Sequence, residues 1–386
     1  MMFLYNNIMI KVFPAGAGDC ILLDFIKEDY RILIDGGYAE TYRKYLNKYL
    51  TELKTQGKKI NLLIITHIDN DHIGGIQAFL EENGFAKNPS VIGVDEVWYN
   101  AFFHVNTVEV HEKAIPYTIR EVLRGSLAVY NEAKNDGRND ISVIQGNTVA
   151  GLLKERGYNW NSLWDKNAVC VKNDYQKHLT DKIQCTLLGP GEKELDELAQ
   201  FWIAKLKSNI KKFIVCNDML YSEAFECYYA HNEKEPEESI RKDVAFDNME
   251  KEKEIDWMKW TDAWSGQIDN REANRSSIAF LLEYEGTKLL FPGDCPIQLL
   301  QENLPKVIDI VKLPHHGSEK DISKEFICKT EVFYYILSTD GQRHGHPSKQ
   351  VIANITQKAP NNPILLKNYN IPELKNIGVF IGDEYE

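Results

Sequence analysis

Residues 62–75 hold the feature that most limits what this chain can fold into. Leu62, Leu63, Ile64 and Ile65 form a continuous apolar run, the pattern of a strand covered on both faces. The run ends abruptly in Thr66-His67-Ile68-Asp69-Asn70-Asp71-His72-Ile73-Gly74-Gly75. Two imidazoles and two carboxylates at the end of a buried strand are costly to desolvate, and the carboxylates repel each other when both are ionised. A bound cation removes both problems, because carboxylate and neutral imidazole are ligands of divalent first-row metals. The spacing lets a tight loop aim His67 and Asp69 one way and Asp71 and His72 another. The glycines that follow let a helix approach the loop closely. The bland alternative is a solvated turn with an N-capping aspartate, but a cap needs one of these side chains rather than four.

Three more polar interruptions follow apolar, strand-like segments. Pro292-Gly293-Asp294 comes after Lys288 to Phe291, Pro314-His315-His316-Gly317-Ser318 after Ile308 to Leu313, and Arg343-His344-Gly345-His346-Pro347 after Glu331 to Leu337. Each is weak alone. Six of the ten histidines nevertheless fall in three of these four short motifs, which is what a shared metal centre requires.

Elsewhere, Ile8 to Phe13, Cys20 to Phe25 and Arg31 to Ile34 read as antiparallel strands, followed by helical stretches from about Ala39 to Gln56 and His72 to Glu82. Val97 to Tyr99 reads as another strand. Between about Phe102 and Asn274 the texture turns helical, as in Glu192 to Ile214, with one convincing strand at Ile183 to Leu188 and a charge-dense, solvated segment at Glu233 to Glu254. Trp257, Trp260 and Trp264, spaced i, i+3 and i+7, predict one apolar helix face rather than a base-stacking platform. Strand texture resumes at Ile278 to Tyr284, and a helix follows from about Ser348 to Thr356.

The 386 residues allow one large domain with an insertion, or two domains. Lys and Arg number 45 against 57 Asp and Glu, a formal charge of −12. That balance argues against a surface coated for non-specific nucleic-acid binding, although a local basic groove remains compatible with it. The modest basic cluster Lys205, Lys207, Lys211 and Lys212 reads as a solvated helix face. Seven scattered cysteines without a Cys-x-x-Cys pair fit free thiols in a reducing compartment. Met1 to Phe13 reads as a first strand rather than a signal peptide, and no apolar run approaches the roughly 18 residues of a membrane span. The expectation is a cytoplasmic protein without a membrane partner.

Taken in order, these motifs resemble the metallo-β-lactamase fold superfamily. Within it they resemble the metallo-hydrolase domain of the DNA-uptake channel protein ComEC and its stand-alone relatives. Gly16-Ala17-Gly18-Asp19 matches the family's Gly-x-Gly-Asp, Asp35-Gly36-Gly37 its Asp-Gly-Gly, and His67 to Gly75 its His-x-Asp-x-Asp-His-x-Gly-Gly. Asn274 with Ser277, Gly293-Asp294, Pro314 to Ser318 and Gly345-His346-Pro347 supply the remainder. The resemblance covers about residues 8–100 and 274–370.

It implies an α/β (α+β) fold: a four-layer αββα sandwich as a single domain, with a large, mainly helical insertion at 101–273 that includes a core strand near 183–188 and walls or covers the site. It implies two divalent metal ions, manganese or zinc. His67 and Asp69 would hold one ion, Asp71 and His72 the other, Asp294 would bridge, and His316 or His315 would complete the second site. Asp19 would support a ligand or the loop from behind. His67-Ile68-Asp69 is a harder ligand set than the His-x-His common in this fold, which moves the expectation towards manganese. The strand Ile183 to Leu188 ends in Gly189-Pro190-Gly191 with no third histidine, so one site is expected to be weak, with His104 as a candidate ligand.

The implied activity is hydrolysis of a phosphodiester, by a phosphodiesterase or nuclease using a metal-activated water. Asp71 would be the water-orienting group, and His346 or His315 the transition-state stabiliser or acid. The competing readings are a hydrolase of a small molecule (a cyclic nucleotide, a phosphocholine ester or a lactone), which the acidic charge favours, and a metal-silent binding or regulatory module. Nucleic acid is a possible partner. A protein partner is left open.

Overall fold

The computed structural model describes residues 2–105, 148–172, 175–209, 219–232 and 255–382. Lys211, Lys212 and the segment Glu233 to Glu254 lie outside them, as do the side chains of Lys205 and Lys207.

The chain opens with a hairpin, β1 (Phe3–Tyr5) against β2 (Ile8–Val12), turned by Asn6 and Asn7 at φ 46° and 64°. Asparagine tolerates these left-handed angles, and a two-residue turn of that hand matches the twist of the strands it joins. β3 (Ile21–Phe25) and β4 (Tyr30–Ile34) continue the antiparallel meander. β5 (Ile60–Ile64) and β6 (Val94–Trp98) then add in parallel, giving a six-stranded sheet in the order β1 to β6.

The second sheet is likewise ordered as the chain runs. β7 (Gln176–His178), β8 (Ile183–Gly189), β9 (Ala279–Tyr284) and β10 (Thr287–Phe291) are antiparallel neighbours. β11 (Val307–Lys312), β12 (Glu331–Leu337), β13 (Ile364–Lys367) and β14 (Val379–Phe380) follow in parallel from β10, completing eight described strands. Each sheet is thus a meander that turns into a parallel array.

Strand alternation explains the layers. Leu62 and Ile64 point between the sheets, into a core shared with Leu23, Ile32, Phe280, Leu282, Phe291 and Ile310. Leu63 and Ile65 point the other way, under helices, with Leu50, Ile76 and Phe79. On the far side, Leu290, Val311, Leu337, Val351 and Ile355 bury the outer face of the second sheet. The result is an α/β sandwich of helix, sheet, sheet and helix, and the uniformly apolar run at β5 is what burial on both faces demands.

The middle of the chain builds a core of its own. Helices Glu192–Asn209 and Met219–Asn232 enclose Leu195, Trp202, Tyr221 and Phe225, joined by Phe102 from the short helix Phe102–Val105. Ile68 also enters this cluster. The predicted tryptophan-bearing helix is corrected: Trp257–Trp260 is a single 3-10 turn. Thr261 Oγ1 bonds back to the Met258 carbonyl, and Asn354 Nδ2 donates to the Thr261 carbonyl, so the turn ends there. Trp257 and Trp264 reach the outer core from separate stretches of chain.

Candidate metal centre

The sequence-predicted residues sit on loops that leave the carboxyl ends of the parallel strands. The register of β4 on β5 pairs Ile34 with Ile64, which brings Asp35 beside Thr66 and His67. In the other sheet β10, β11 and β12 end at Phe291, Lys312 and Leu337, and deliver Asp294, His315 with His316, and Ser338. The Ile278 amide donates to the Thr66 carbonyl at 2.8 Å and ties the two sheets together at this edge.

Ile68 is held in the apolar cluster of the middle segment, so the residues flanking it, His67 and Asp69, turn to the opposite side. The helix Asn70–Asn83 starts at Asp69, yet the Asp69 side chain makes no capping bond. The carboxylate is left for other use: Asp69 Oδ2 stands 3.7 Å from His67 Nε2. Gly36 and Gly75 let this helix lie directly on the β4 loop, with the Gly36 amide donating to the His72 carbonyl at 2.9 Å and the Gly75 amide to the Gly37 carbonyl. A Cβ on Gly75 would stand 1.9 Å from the Gly36 oxygen, so only glycine fits.

The hydrogen bonds behind the imidazoles fix which nitrogen faces the centre. His72 Nδ1 meets Asp35 Oδ2 at 2.8 Å, and His316 Nδ1 meets the Ser338 carbonyl at 2.9 Å. Since a carbonyl or carboxylate oxygen only accepts, both Nδ1 atoms carry the proton. His67 Nδ1 lies 3.0 Å from Thr66 Oγ1, whose own proton goes to Asp35 Oδ2 at 2.7 Å, so this Nδ1 is the donor too. All three rings therefore direct Nε2 to the same place, as ligand histidines held by a carboxylate or carbonyl do.

Those three Nε2 atoms are buried and have no hydrogen-bond partner. An unpaired buried polar atom costs about 1–3 kcal/mol. They surround Asp294 Oδ2, at 3.4 Å from His72, 3.7 Å from His316 and 3.9 Å from His67, too far for hydrogen bonds. Asp71 Oδ2 lies 3.5 Å from His316 Nε2 and 3.9 Å from His72 Nε2. Two groups of ligand atoms, His67 with His72 and Asp294, and Asp71 with His72 and His316, each fall within 4.8 Å of one another. Orphaned nitrogens aimed at clustered carboxylates are what a divalent cation would satisfy, and the donor set fits zinc or manganese.

The clustered carboxylates make this a place that attracts positive charge. Burial alone would lower the pKa of His72, but the carboxylates of Asp294, Asp71 and Asp35 outweigh it and hold it well above the ordinary value. Asp294 is held well below the usual carboxylate range because His72, His316, Lys312 and His315 together overcome its burial. Asp71 is likewise lowered against its burial by His72 and His316.

His315 and His316 are consecutive left-handed residues, with φ of 43° and 56°. The turn splays their rings by 71°, and His315 reaches a separate pair of carboxylates. Its Nδ1 lies 2.7 Å from Asp321 Oδ2 and 3.5 Å from Asp269 Oδ2, while its Nε2 is 4.0 Å from Asp294. His346 stacks edge-on against His315 at 4.8 Å and joins none of the clustered ligand groups. His104 does not reach them either. Its ring packs on Trp160 and Phe103, its Nδ1 accepts from the Ala101 amide, and burial drops its pKa to about 3.

Four supporting residues were not singled out from sequence. Lys312 closes β11 and pairs, fully buried, with Asp19 and with Asp294 Oδ1 at 3.5 Å. Its signal is a lone cation ending an apolar strand. Asp321 and Asp269 hold His315, and Arg271 reaches both Asp69 and His315. Asp19, expected to brace the site, does so through Lys312 and lies 3.6 Å from His316 Nδ1.

A cavity of about 770 Å³ is lined in part by Gly16, Tyr38, Glu40, Lys44, Asp340 and Arg343, and by none of the candidate ligands.

A family model described as the Metallo-beta-lactamase superfamily matches residues 13–124, which takes in the Gly16 to Asp19, Asp35 to Gly37 and His67 to Gly75 motifs. A search of curated proteins returns no match. Over those residues the chain is similar to that superfamily, and the matched part supplies His67, Asp71 and His72 to the clustered ligand groups.

Proposed function

We propose that the protein hydrolyses phosphodiesters, as a phosphodiesterase or nuclease of the ComEC-like, stand-alone kind, with a divalent metal centre held by His67, Asp69, Asp71, His72, Asp294 and His316. The observation that carries this reading is the trio of buried, partnerless Nε2 atoms around Asp294. Bound there, manganese or zinc would supply Lewis-acid stabilisation of phosphoryl oxygen and a more acidic water.

The protein's own groups supply the rest. Asp71 is the most open of the three central carboxylates, with its side chain 19% exposed against 6% for Asp69 and 2% for Asp294, which suits it to orient the attacking water and accept its proton. His315 is the acid for the leaving oxygen, with Asp321 at its Nδ1 to stabilise the imidazolium. In the free protein Arg271 Nη2 donates to His315 Nε2 at 2.9 Å; a phosphoryl oxygen that draws off the guanidinium frees Nε2 to take a proton from solvent, which His315 then gives to the leaving oxygen. His346, packed on His315, meets the substrate rather than a metal. Arg271, half exposed beside Asp69 and His315, favours an anionic substrate.

The second reading, a small-molecule hydrolase, draws on the formal charge of −12 and on a cavity the size of a small ligand. A manganese-dependent screen of single-stranded DNA, duplex DNA, RNA and bis-p-nitrophenyl phosphate separates the two. Cleavage of a nucleic acid is the expected result, with Asp71→Ala slower by roughly a hundredfold or more. Turnover of the small diester alone would favour the second reading, and full activity in the variant would overturn the site. The described cysteines are all free, which favours a cytoplasmic location.

A further inference from the structure

The two sides of the centre are unequally furnished. Asp71, His72 and His316 form one group of ligand atoms and His67, His72 and Asp294 another, but Asp69, which flanks the second, belongs to neither. No imidazole arrives from β8, which ends at Gly189 and is followed by Pro190. A guanidinium stands there instead. Arg271 Nη1 is 3.8 Å from Asp69 Oδ2 and its Nη2 is 2.9 Å from His315 Nε2.

This placement is built rather than incidental. Asp269 accepts from the Arg271 main-chain amide at 2.9 Å through Oδ1 and lies 3.3 Å from Arg271 Nε through Oδ2. Asn274 Nδ2 donates to the same Oδ2 at 2.6 Å and fixes that carboxylate. The side chain remains half exposed, so it enters from the mouth, and its charge is permanent at any working pH. A fixed positive charge within 4 Å of a carboxylate satisfies it and repels a second cation arriving there.

We propose that the centre holds one divalent cation tightly, at Asp71, His72, His316 and Asp294, that the side of His67 and Asp69 takes a second only weakly, and that Arg271 serves as the positive charge there. The inference rests on the metal-hydrolase reading above. It makes Arg271 the residue that sets metal stoichiometry, since replacing it with an imidazole supplies a ligand and removes the competing charge in one step.

The test counts metal. The full chain is stripped, reloaded with Mn²⁺ or Zn²⁺, dialysed, and measured by plasma mass spectrometry and titration calorimetry, with circular dichroism to verify folding. The wild type and Arg271→Lys are expected to retain one ion per chain and Arg271→His two. Arg271→Ala is expected to bind the second ion roughly tenfold more tightly than the wild type. Two equally tight ions in the wild type would overturn the inference and leave the hydrolase reading standing. An unchanged weak site in both Arg271→His and Arg271→Ala would also overturn it. A wild type that binds no ion would end both.

Discussion

Asp35 holds His72 from behind, 2.8 Å from Nδ1, on a carboxylate that also accepts the Thr66 amide and hydroxyl. That one buried side chain orients His72 directly and His67 through Thr66. Asp35→Asn keeps the shape but loses an acceptor, so metal affinity should fall about 10- to 100-fold. Calorimetric titration with Mn²⁺ or Zn²⁺ checks this, and an unchanged affinity would show that Asp35 serves packing alone.

Chelation should destabilise the fold. Asp69, Asp71 and Asp294 crowd one another, and a ligand present at a hundred times its Kd stabilises the native state by about 2.7 kcal/mol. Thermal melts with and without added metal should therefore differ by several degrees in the wild type. They should coincide in Asp294→Asn.

Gly75→Ala should cost about 1–3 kcal/mol and weaken metal binding as well, because the new methyl would push the His72 helix off the Asp35 loop. Gly93→Ala is the control, since its Cβ would meet Lys59 Cβ at an ordinary 3.7 Å. Urea denaturation of the two variants gives the comparison. Equal stability would remove the close approach as a determinant of the site.

Glu226 lies buried in the helical middle segment, accepting from the Tyr99 hydroxyl and the Ala150 amide, both at 3.0 Å. Burial raises its pKa from the ordinary 4.5 to about 8. Between those values the folded chain keeps a proton that the unfolded chain releases, so this group's contribution makes stability decline from about pH 5 to pH 8 and level off above. Denaturation midpoints measured across that range should fall in the wild type. Glu226→Gln should flatten the slope.

His104→Ala should leave metal content unchanged, since the ring is spent on Trp160 and Phe103 rather than on the centre. Loss of an ion on elemental analysis would reinstate it as a ligand.

Much of this centre is written locally. The apolar run at Leu62 to Ile65 fixes a strand covered on both faces, and the polar burst after it fixes where chemistry is concentrated, because neither pattern makes physical sense otherwise. The same logic places β3, β4, β9, β11 and β12, and the polar loops that follow strands in both sheets. β7, β13 and β14 were illegible: at three, four and two residues they are too short for a periodic signal and exist through pairing with neighbours. The tryptophan triplet misled for the opposite reason, since a helical spacing says nothing about where a turn is cut short by Thr261.

Only tertiary structure decided which groups meet. Asp294 reaches His67 and His72 from more than two hundred residues away, through a second sheet whose register no local pattern encodes. Which nitrogen each histidine presents depends on Asp35, Thr66 and Ser338 lying behind the rings. That an arginine occupies the Asp69 side, where a ligand was missing from the sequence, follows from the fold of the loop around Asp269. Ligand chemistry is a property of residue types and can be read in order along the chain. Convergence, tautomer and charge balance are properties of distances, and the folded chain alone sets those.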